Sequence, residues 1–340
     1  ACLVMVCAAA VGAGASWYGV PVDGFQSAAQ LTAVTAAMPP VDTGEAGCAE
    51  ATTVLTKQQP GVQQMERVQT ENGYMYYAYS ASMAEKGRNC VYVFEASSNR
   101  QQPLTVIENV APAQATLQGV IAHGERLAIL ARGENCTYLR IYSIAEPTKP
   151  VLLSAIEQSG ACVQAGLVGE NVYVLSHFVF DPKAEQSVPA LTVNGETHRA
   201  LPEHIVRLAG ANQAQYTVLG TVDVQTGKAA EDVAAVLGGG TKVHLTKKAA
   251  YVGASADVDR TAYGVKWNLK SQKCAKITRR EAKTLFQLPH EFAADSTERT
   301  LYEMGDGWLS IEENLETAAQ SLALYDRDFH RLDRLQLEDV

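Results

Sequence analysis

The segment GENVYVL at residues 169–175 is a polar turn followed at once by a hydrophobic strand. Related text recurs at residues 72–77, 124–130, 247–252 and 305–311, which gives offsets of about 52, 45, 78 and 58 residues. Short runs of β-branched and aromatic residues that follow a turn are typical of strands. One strand unit is therefore repeated along the chain, and this repetition is the strongest signal in the sequence.

Two further strand units accompany the first. NCVYVF at residues 89–94 is echoed at 135–142 and later by SLALYD at 321–326, and a strand led by proline occurs at 102–107 and again at 149–154. The order of these strand units along the chain predicts a four-stranded antiparallel sheet that repeats with a period of roughly 45–50 residues. Because one such sheet cannot cover both of its faces, we predict an all-β fold, a β-propeller of four-stranded antiparallel blades. A β-sandwich with similar hairpins is the alternative.

The propeller domain is predicted to span residues 65–340, with an insertion at about 178–212 that accounts for the long third offset. Within it, the pair Asn194 and Gly195 lies between LTV and THR, which is a strong signal for a two-residue hairpin. The text at 335–340 stops part-way through a blade. We therefore expect the propeller to be incomplete in this chain.

The N-terminal region predicts export. Residues 1–15 read ACLVMVCAAAVGAGA and carry no charge, so residues 1–20 are predicted to be part of a signal or membrane-anchor segment. A buried, alanine-rich helix is the alternative. Residues 21–64 are predicted to be a linker with a short helix at 27–38, which the prolines at 39–40 end.

The composition indicates which class of partner and which role of the cysteines to expect. Lys plus Arg number 28 against 37 Asp plus Glu, so the net charge is −9 and no nucleic-acid partner is expected. None of the 7 cysteines forms a CxxC pair, which argues against a zinc ribbon. Cys136 with Cys162 is a more plausible bridge than Cys90 with Cys136, but buried thiols are the main expectation.

Several phrases of the chain resemble one family, the secreted bacterial and archaeal β-propeller domain proteins, which are distantly similar to WD-repeat propellers. The phrases are LTVNG (191–195), LPEHI (201–205), YTVLGTVD (216–223), VLGG (236–239), IYSIAEPTKP (141–150) and ENVYVL (170–175). The resemblance spans about residues 65–340. It implies an extracytoplasmic protein whose function is uncharacterised and for which no catalytic activity is established.

The candidate ligand residues of the insertion are His198, Glu203 and His204. Two imidazoles and a carboxylate can bind zinc, but this spacing fits neither a helix pair nor alternate strand positions. We interpret them as ordinary residues of a solvated loop. We assign no catalytic, cofactor-binding or metal residues, and the nucleophile elbow, P-loop, HExxH and GxGxxG motifs do not occur.

Two other motifs favour structural roles. Asp257 and Asp259 could hold calcium, but Arg260 supplies the opposing charge, so a polar loop with a local ion pair is the better interpretation. The three glycines at 238–240 lack a helix behind them, since TKVHL alternates like a strand, and we predict a tight connection between blades.

Tyrosines at strand spacing could line a ligand surface, but packing between blades is the main expectation. They are Tyr74, Tyr76, Tyr77, Tyr92, Tyr138, Tyr142 and Tyr173.

The sequence predicts a non-catalytic, extracytoplasmic β-propeller that acts as a binding or scaffold protein at the bacterial cell surface, secreted or membrane-anchored. Its expected partner is a protein or a cell-envelope polysaccharide, held on one face and through the insertion, and residues 182–200 should then be removable without loss of folding. No cofactor is expected, and membrane contact is expected through the N-terminal segment only. The alternative is a propeller-type enzyme (a hydrolase, lyase or quinone-dependent oxidoreductase) with a site on the ring axis. A third hypothesis is a structural spacer for another domain.

Overall fold

The structure, a computed structural model, describes sixteen stretches of the chain. They are residues 24–40, 55–56, 67–70, 73–79, 89–96, 102–184, 188–207, 214–230, 233–238, 242–255, 262–271, 273–277, 297–304, 307–314, 319–326 and 331–337.

Regular structure in these stretches consists mainly of strands. The first twelve are β1 (Leu55–Thr56), β2 (Arg67–Gln69), β3 (Tyr74–Tyr79), β4 (Cys90–Glu95), β5 (Thr105–Ile107), β6 (Thr116–His123), β7 (Arg126–Arg132), β8 (Cys136–Ser143), β9 (Val151–Ser159), β10 (Ala161–Val168), β11 (Asn171–Val179) and β12 (Ala190–Val193). The next twelve are β13 (Glu196–Arg199), β14 (Ile205–Arg207), β15 (Gln215–Asp223), β16 (Ala234–Leu237), β17 (Lys242–Leu245), β18 (Ala249–Ser255), β19 (Ala262–Asn268), β20 (Cys274–Lys276), β21 (Thr297–Met304), β22 (Gly307–Asn314), β23 (Gln320–Asp326) and β24 (Arg331–Gln336).

The described strands form five sheets, each built on four antiparallel strands. Sheet 1 contains β2–β5 and sheet 2 contains β6–β9; sheet 3 contains β10, β11, β15 and β16; sheet 4 contains β17–β20 and sheet 5 contains β21–β24. Each of the five repeated turn-strand segments forms the second strand of its sheet: β3, β7, β11, β18 and β22. The predicted all-β propeller of four-stranded antiparallel blades is confirmed.

Alternation along the second strands explains why the sheets stack. In β11, Val172 and Val174 pack in the core shared with sheet 2, whereas Tyr173 and Leu175 pack in the core shared with sheet 4. We call these two sides the preceding face and the following face of a sheet. The rule also holds in β7 (Leu127 and Ile129 on the preceding face, Ala128 and Leu130 on the following face) and in β18 (Ala250 and Val252 on the preceding face).

The outer faces of the first and last sheets are less covered. On the preceding face of sheet 1, Tyr77 and Tyr79 are 38% and 42% exposed. On the following face of sheet 5, Ile311, Leu324 and Leu335 are 40%, 40% and 62% exposed. Within the described residues the array therefore has two apolar ends, one aromatic and one aliphatic.

The opposite face of sheet 5 is buried and polar. Glu312 is 2% exposed, and its carboxylate accepts a hydrogen bond from the Tyr325 hydroxyl (2.6 Å) and lies 3.6 Å from Nε of Arg334. Ser321 accepts a hydrogen bond from the same Arg334 nitrogen (3.0 Å). A buried carboxylate needs such partners, because an unpaired charge is expensive to desolvate.

A short segment joins the two ends of the array. Strand β1 pairs in parallel with β21 of sheet 5, and β2 of sheet 1 begins ten residues after β1 ends. A connection of this length spans about 40 Å at most, so the end of β1 in sheet 5 and the start of β2 in sheet 1 lie within about 40 Å of each other. At the other end of the chain, β24 is the fourth strand of sheet 5, whereas the sequence was expected to stop within that blade.

The insertion links sheets 2 and 3. Strands β12 and β13 form the predicted two-residue hairpin, with positive φ at Asn194 (50°) and Gly195 (91°), which confirms that prediction. The hairpin continues sheet 2 through β12 beside β9, and the chain then reaches a 3-10 turn (Pro202–His204) and adds β14 beside β16 of sheet 3. Leu191 and Ala200 are 1% and 5% exposed in the shared core, so we revise the expectation that residues 182–200 can be removed without loss of folding.

The described part of the predicted linker includes a helix. Helix α1 (Ala28–Ala36) begins at Ser27, whose hydroxyl accepts a hydrogen bond from the backbone of Gln30, and this confirms the predicted helix. Leu31 and Phe25 are buried in the core shared by sheets 2 and 3. Residues 24–40 therefore pack against the propeller sheets. Residues 1–20, the predicted export segment, lie outside the described residues, and no helix in the described stretches is long and apolar enough to span a membrane.

A buried amide joins sheets 2 and 3 at their interface. Nε2 of Gln158, on β9, donates to Oγ of Ser176 (2.7 Å) and approaches the backbone oxygens of Val174 (3.2 Å) and Val218 (3.4 Å). Gly220, on β15, lies against this side chain, and a Cβ at Gly220 would collide with the Gln158 amide oxygen. The position therefore has no room for a side chain while Gln158 keeps its hydrogen bonds.

This contact predicts a non-additive pair of substitutions. Gly220→Ala should lower the free energy of unfolding by about 2 kcal/mol, because the added methyl displaces a buried, hydrogen-bonded amide. In a Gln158→Ala background the same change should cost less than about 0.5 kcal/mol, since the obstacle is gone. Urea denaturation of the two single variants and the double variant measures the coupling. Equal costs in both backgrounds would contradict the proposed collision.

Candidate functional site

A groove of about 650 Å³ lies between sheets 3 and 4, where the turns of the two sheets come together. This volume is within the range of about 300–1,000 Å³ that is usual for small-molecule sites. The residues that line it are Val168, Asn171, Tyr173, Thr221, Asp223, Thr226, Lys228, Ala229, Ala230, Lys247, Leu269 and Lys270.

The base of the groove is the end of the apolar core between the two sheets. Tyr173 from β11 and Leu269, just after β19, belong to that core and are 6% and 8% exposed. Burial raises the pKa of the Tyr173 phenol, so the hydroxyl stays protonated at neutral pH and keeps its capacity to donate. The core thus fixes the depth of the groove and leaves polar groups above it.

The rim of the groove is positively charged. Lys228, Lys247 and Lys270 are exposed and come from three different turns. No ion pair joins these ammonium groups to a carboxylate among the described residues. Because the whole chain has a net charge of −9, three lysines around one groove form a local field of opposite sign.

The turn that contains Lys228 is held by its own side chains. The Asp223 carboxylate accepts hydrogen bonds from the backbone amides of Gln225 (2.8 Å) and Thr226 (3.0 Å). The Asp223 amide also donates to the backbone oxygen of Lys228 (2.9 Å). The carboxylate of Asp223, the one acidic group among the described lining residues, therefore shapes the loop.

The two turns from sheet 4 are held in the same way. The Thr246 hydroxyl oxygen accepts hydrogen bonds from the amides of Lys248 (3.2 Å) and Ala249 (3.0 Å), which fixes the turn that contains Lys247. The Asn268 side-chain oxygen accepts a hydrogen bond from the amide of Lys270 (3.1 Å). A neighbouring side chain therefore holds the backbone of each turn that contains one of these lysines.

The Asp223 turn gives a direct test of this rigidity. Asp223→Ala should speed the hydrogen exchange of the Gln225 and Thr226 amides about fivefold, because each loses its acceptor at a cost of about 1 kcal/mol. Asp223→Asn should stay close to the wild type, since its amide oxygen accepts the same bonds. Exchange measured by NMR or mass spectrometry distinguishes the two. If both variants exchange alike, the carboxylate does not hold the turn.

Sequence reasoning did not identify this site. The three lysines are 19 and 23 residues apart in the chain, so no local spacing connects them. The available signal was the residue before each turn: Asp223, Thr246 and Asn268 are types that bond to nearby backbone amides. Only the stacking of sheets 3 and 4 brings the turns together.

The candidate ligands of the insertion lie on two neighbouring elements. His198 lies on β13, and Glu203 and His204 lie in the 3-10 turn before β14. Within the described stretches, no cluster of at least three His, Cys, Asp or Glu side chains has the placement of a metal site.

Two of the remaining sequence candidates lie outside the described residues. They are the Asp257, Asp259 and Arg260 loop and the last two glycines of 238–240. Gly238 has a φ of 92° and its amide donates to the backbone oxygen of Gln215 (2.9 Å), at the end of sheet 3. Strand β17 follows and begins sheet 4, so this glycine lies at a connection between blades, as expected.

The tyrosines divide between packing and exposure. Tyr76, Tyr142 and Tyr173 are buried between sheets, which confirms the packing interpretation for them. Tyr74 and Tyr138 pack against smaller parts of the core. For Tyr77 the packing interpretation is wrong, because this residue lies on the outer face of sheet 1, where no described residue covers it. Tyr92 lies on the same face and makes an edge contact with Tyr79, with 6.0 Å between the ring centroids.

All four described cysteines are free thiols: Cys90, Cys136, Cys162 and Cys274. The bridge between Cys136 and Cys162 is therefore absent from the structure. Burial raises the pKa of both Cys162 and Cys274 to about 12. These thiols remain protonated and poorly nucleophilic at neutral pH.

The raised cysteine pKa values predict a pH dependence of stability. Unfolded thiols lose their protons near pH 8.5, whereas folded Cys162 and Cys274 keep theirs to about pH 12. The unfolded state then binds fewer protons, so the free energy of unfolding falls as pH rises above about 8.5, by up to about 1.4 kcal/mol per pH unit for each thiol. Urea denaturation between about pH 8 and 9.5, below the range of the tyrosines, measures the slope. In Cys162→Ala/Cys274→Ala the slope should be shallower, and an unchanged slope would refute the assignment.

The fold defines the class: stacked four-stranded antiparallel sheets that cover one another's faces are the blades of a β-propeller. The model of the family described as Beta propeller domain matches residues 56–306, and the chain belongs to this family. No functionally curated protein matched the sequence.

Solved structures that match this chain share little sequence with it. Acylaminoacyl peptidase in complex with a chloromethyl ketone is 8% identical over 86% of this chain and 48% of its own, with a TM-score of 0.43. Oligopeptidase B from Trypanosoma brucei is 9% identical over 82% and 34%, with a TM-score of 0.33. The β-propeller domain of the Trilobed protease from Pyrococcus furiosus, which has an open velcro topology, is 9% identical over 82% and 98%, with a TM-score of 0.23. The chain thus spans about a third to a half of the length of the two peptidases.

Proposed function

We propose that this protein is a non-catalytic, extracytoplasmic binding or scaffold protein at the cell surface, and that it holds its partner in the groove between sheets 3 and 4. The observation that carries the proposal is the set of three fixed turns that place Lys228, Lys247 and Lys270 around one apolar base. Such an arrangement suits recognition, because the groups that meet the partner are held in place before it arrives.

The stacked sheets supply the rigidity. Tyr173 and Leu269 are part of the core between sheets 3 and 4, and the Leu245 amide donates to the side-chain oxygen of Gln164 across the same interface (2.8 Å). The groove therefore cannot widen without breaking this packing. Rigid elements that position surface turns are the usual basis of binding by repeat folds.

Charge and the N-terminal sequence support the proposed partner and the proposed location. The uncharged stretch at residues 1–15 supports export, either secreted or through a membrane anchor. A net charge of −9 disfavours nucleic acid, while the positive groove favours an acidic component of the cell envelope, a polysaccharide or a protein. The insertion then acts as a brace between sheets 2 and 3.

A substitution that fills the groove tests the proposal. Ala230 lines the groove, and its amide donates to the backbone oxygen of Thr221 (2.8 Å), so Ala230→Trp should leave the backbone bond and occupy the cavity. Wild-type protein should sediment with isolated cell envelopes, and Ala230→Trp should reduce the bound fraction at least about tenfold. Ala145→Trp, at an exposed loop alanine outside the groove, is the matched control and should bind normally.

Two results would contradict the proposal. Equal sedimentation of both tryptophan variants would remove the groove from the function. New fragments of envelope material in the supernatant, detected by mass spectrometry and dependent on the protein, would favour the propeller-type enzyme instead. Cell fractionation adds a check of location, since a cytosolic protein would refute export.

A further inference from the structure

Resting on the proposed function, we infer that the groove between sheets 3 and 4 binds a carboxylate-bearing oligosaccharide. Three features of the groove support this class of ligand: its positive charges, the spread of those charges over separate turns, and the mixture of hydroxyl, amide and apolar groups in the lining.

The charge of the groove selects an anion. Among the described lining residues, Lys228, Lys247 and Lys270 are accompanied by one carboxylate, Asp223, which already accepts hydrogen bonds from two backbone amides. Adjacent lysine charges attract an anion and disfavour a cation. Because the lysines are exposed, each contributes a modest, salt-sensitive attraction.

The distribution of the charges favours several separated carboxylates over one compact anion. The three lysines arise from the β15–β16 connection, the β17–β18 turn and the β19–β20 turn. They line the groove from three separate loops. A phosphate site made of convergent backbone amides at a helix N-terminus, or of a bidentate arginine, would need groups that the described lining residues do not include.

The other lining groups suit a sugar. Thr221, Thr226 and Asn171 offer hydroxyl and amide groups that can exchange hydrogen bonds with ring hydroxyls. Leu269 and Ala229 supply apolar surface beside them. The tyrosine of the lining, Tyr173, is 6% exposed, so no open aromatic face is available on which nucleic-acid bases could stack.

The experiment compares tetragalacturonate with its fully methyl-esterified form, which keeps the sugar backbone and removes the charges. Isothermal titration of the full chain at about 50 mM salt should show binding of the acid and at least about tenfold weaker binding of the ester. Raising the salt to about 300 mM should weaken the binding of the acid, because the attraction is ionic and exposed. Inorganic phosphate, titrated separately, should neither bind nor compete.

Two variants with matched loss of charge locate the site. Lys228→Gln/Lys247→Gln/Lys270→Gln should bind tetragalacturonate at least about tenfold more weakly. Lys149→Gln/Lys183→Gln/Arg199→Gln removes the same three positive charges from exposed positions outside the groove and should bind like the wild type. Unfolding curves confirm that both variants are folded.

Each contrary result overturns the inference. Equal binding of the ester and the acid, equal binding by the two triple variants, or binding of phosphate in place of the acid would each do so. The proposed function fails separately: envelope sedimentation that depends on Ala230 while tetragalacturonate does not bind refutes only the ligand class. If the wild-type protein itself does not sediment with the envelopes, the proposed function is refuted.

Discussion

An antiparallel sheet in this chain has apolar side chains on both faces, and the rest of the structure depends on covering them. Along β11, Val172 and Val174 point to one neighbour while Tyr173 and Leu175 point to the other. A period of two forces this division, so each sheet requires a sheet on either side. Stacking is therefore the cause of the fold, and the turns at the ends of the strands are free to differ from blade to blade.

The interfaces between sheets are not all alike, and their differences set the properties of the molecule. Between sheets 2 and 3, the buried amide of Gln158 and the hairpin around Leu191 add polar and apolar connections to the stacked side chains. Between sheets 3 and 4 the apolar core ends at Tyr173 and Leu269, and the turns above it leave an open space. The first interface is reinforced by these contacts, and the second ends in an open groove.

The sequence predicted those features that depend on neighbours in the chain. The turn before Val172 and its four relatives marked the second strand of every sheet, and Asn194 with Gly195 marked a hairpin, because turn geometry and alternation are local. It did not predict that the hairpin would join β9, or that lysines at 228, 247 and 270 would share a groove. Those outcomes depend on contacts between distant segments, and several edges and turns compete for each of them. The packing of Tyr77 was mispredicted for the same reason, since its burial depends on a neighbouring sheet.

The array also has direction. Sheet 1 presents tyrosines such as Tyr77 on its outer side, and sheet 5 presents aliphatic groups such as Leu335. When two copies meet through like ends the contact is twofold and self-limiting, whereas unlike ends meet head to tail and the contact can repeat. Within the described residues, the order of the strands along the chain thus gives the stack of sheets a polarity.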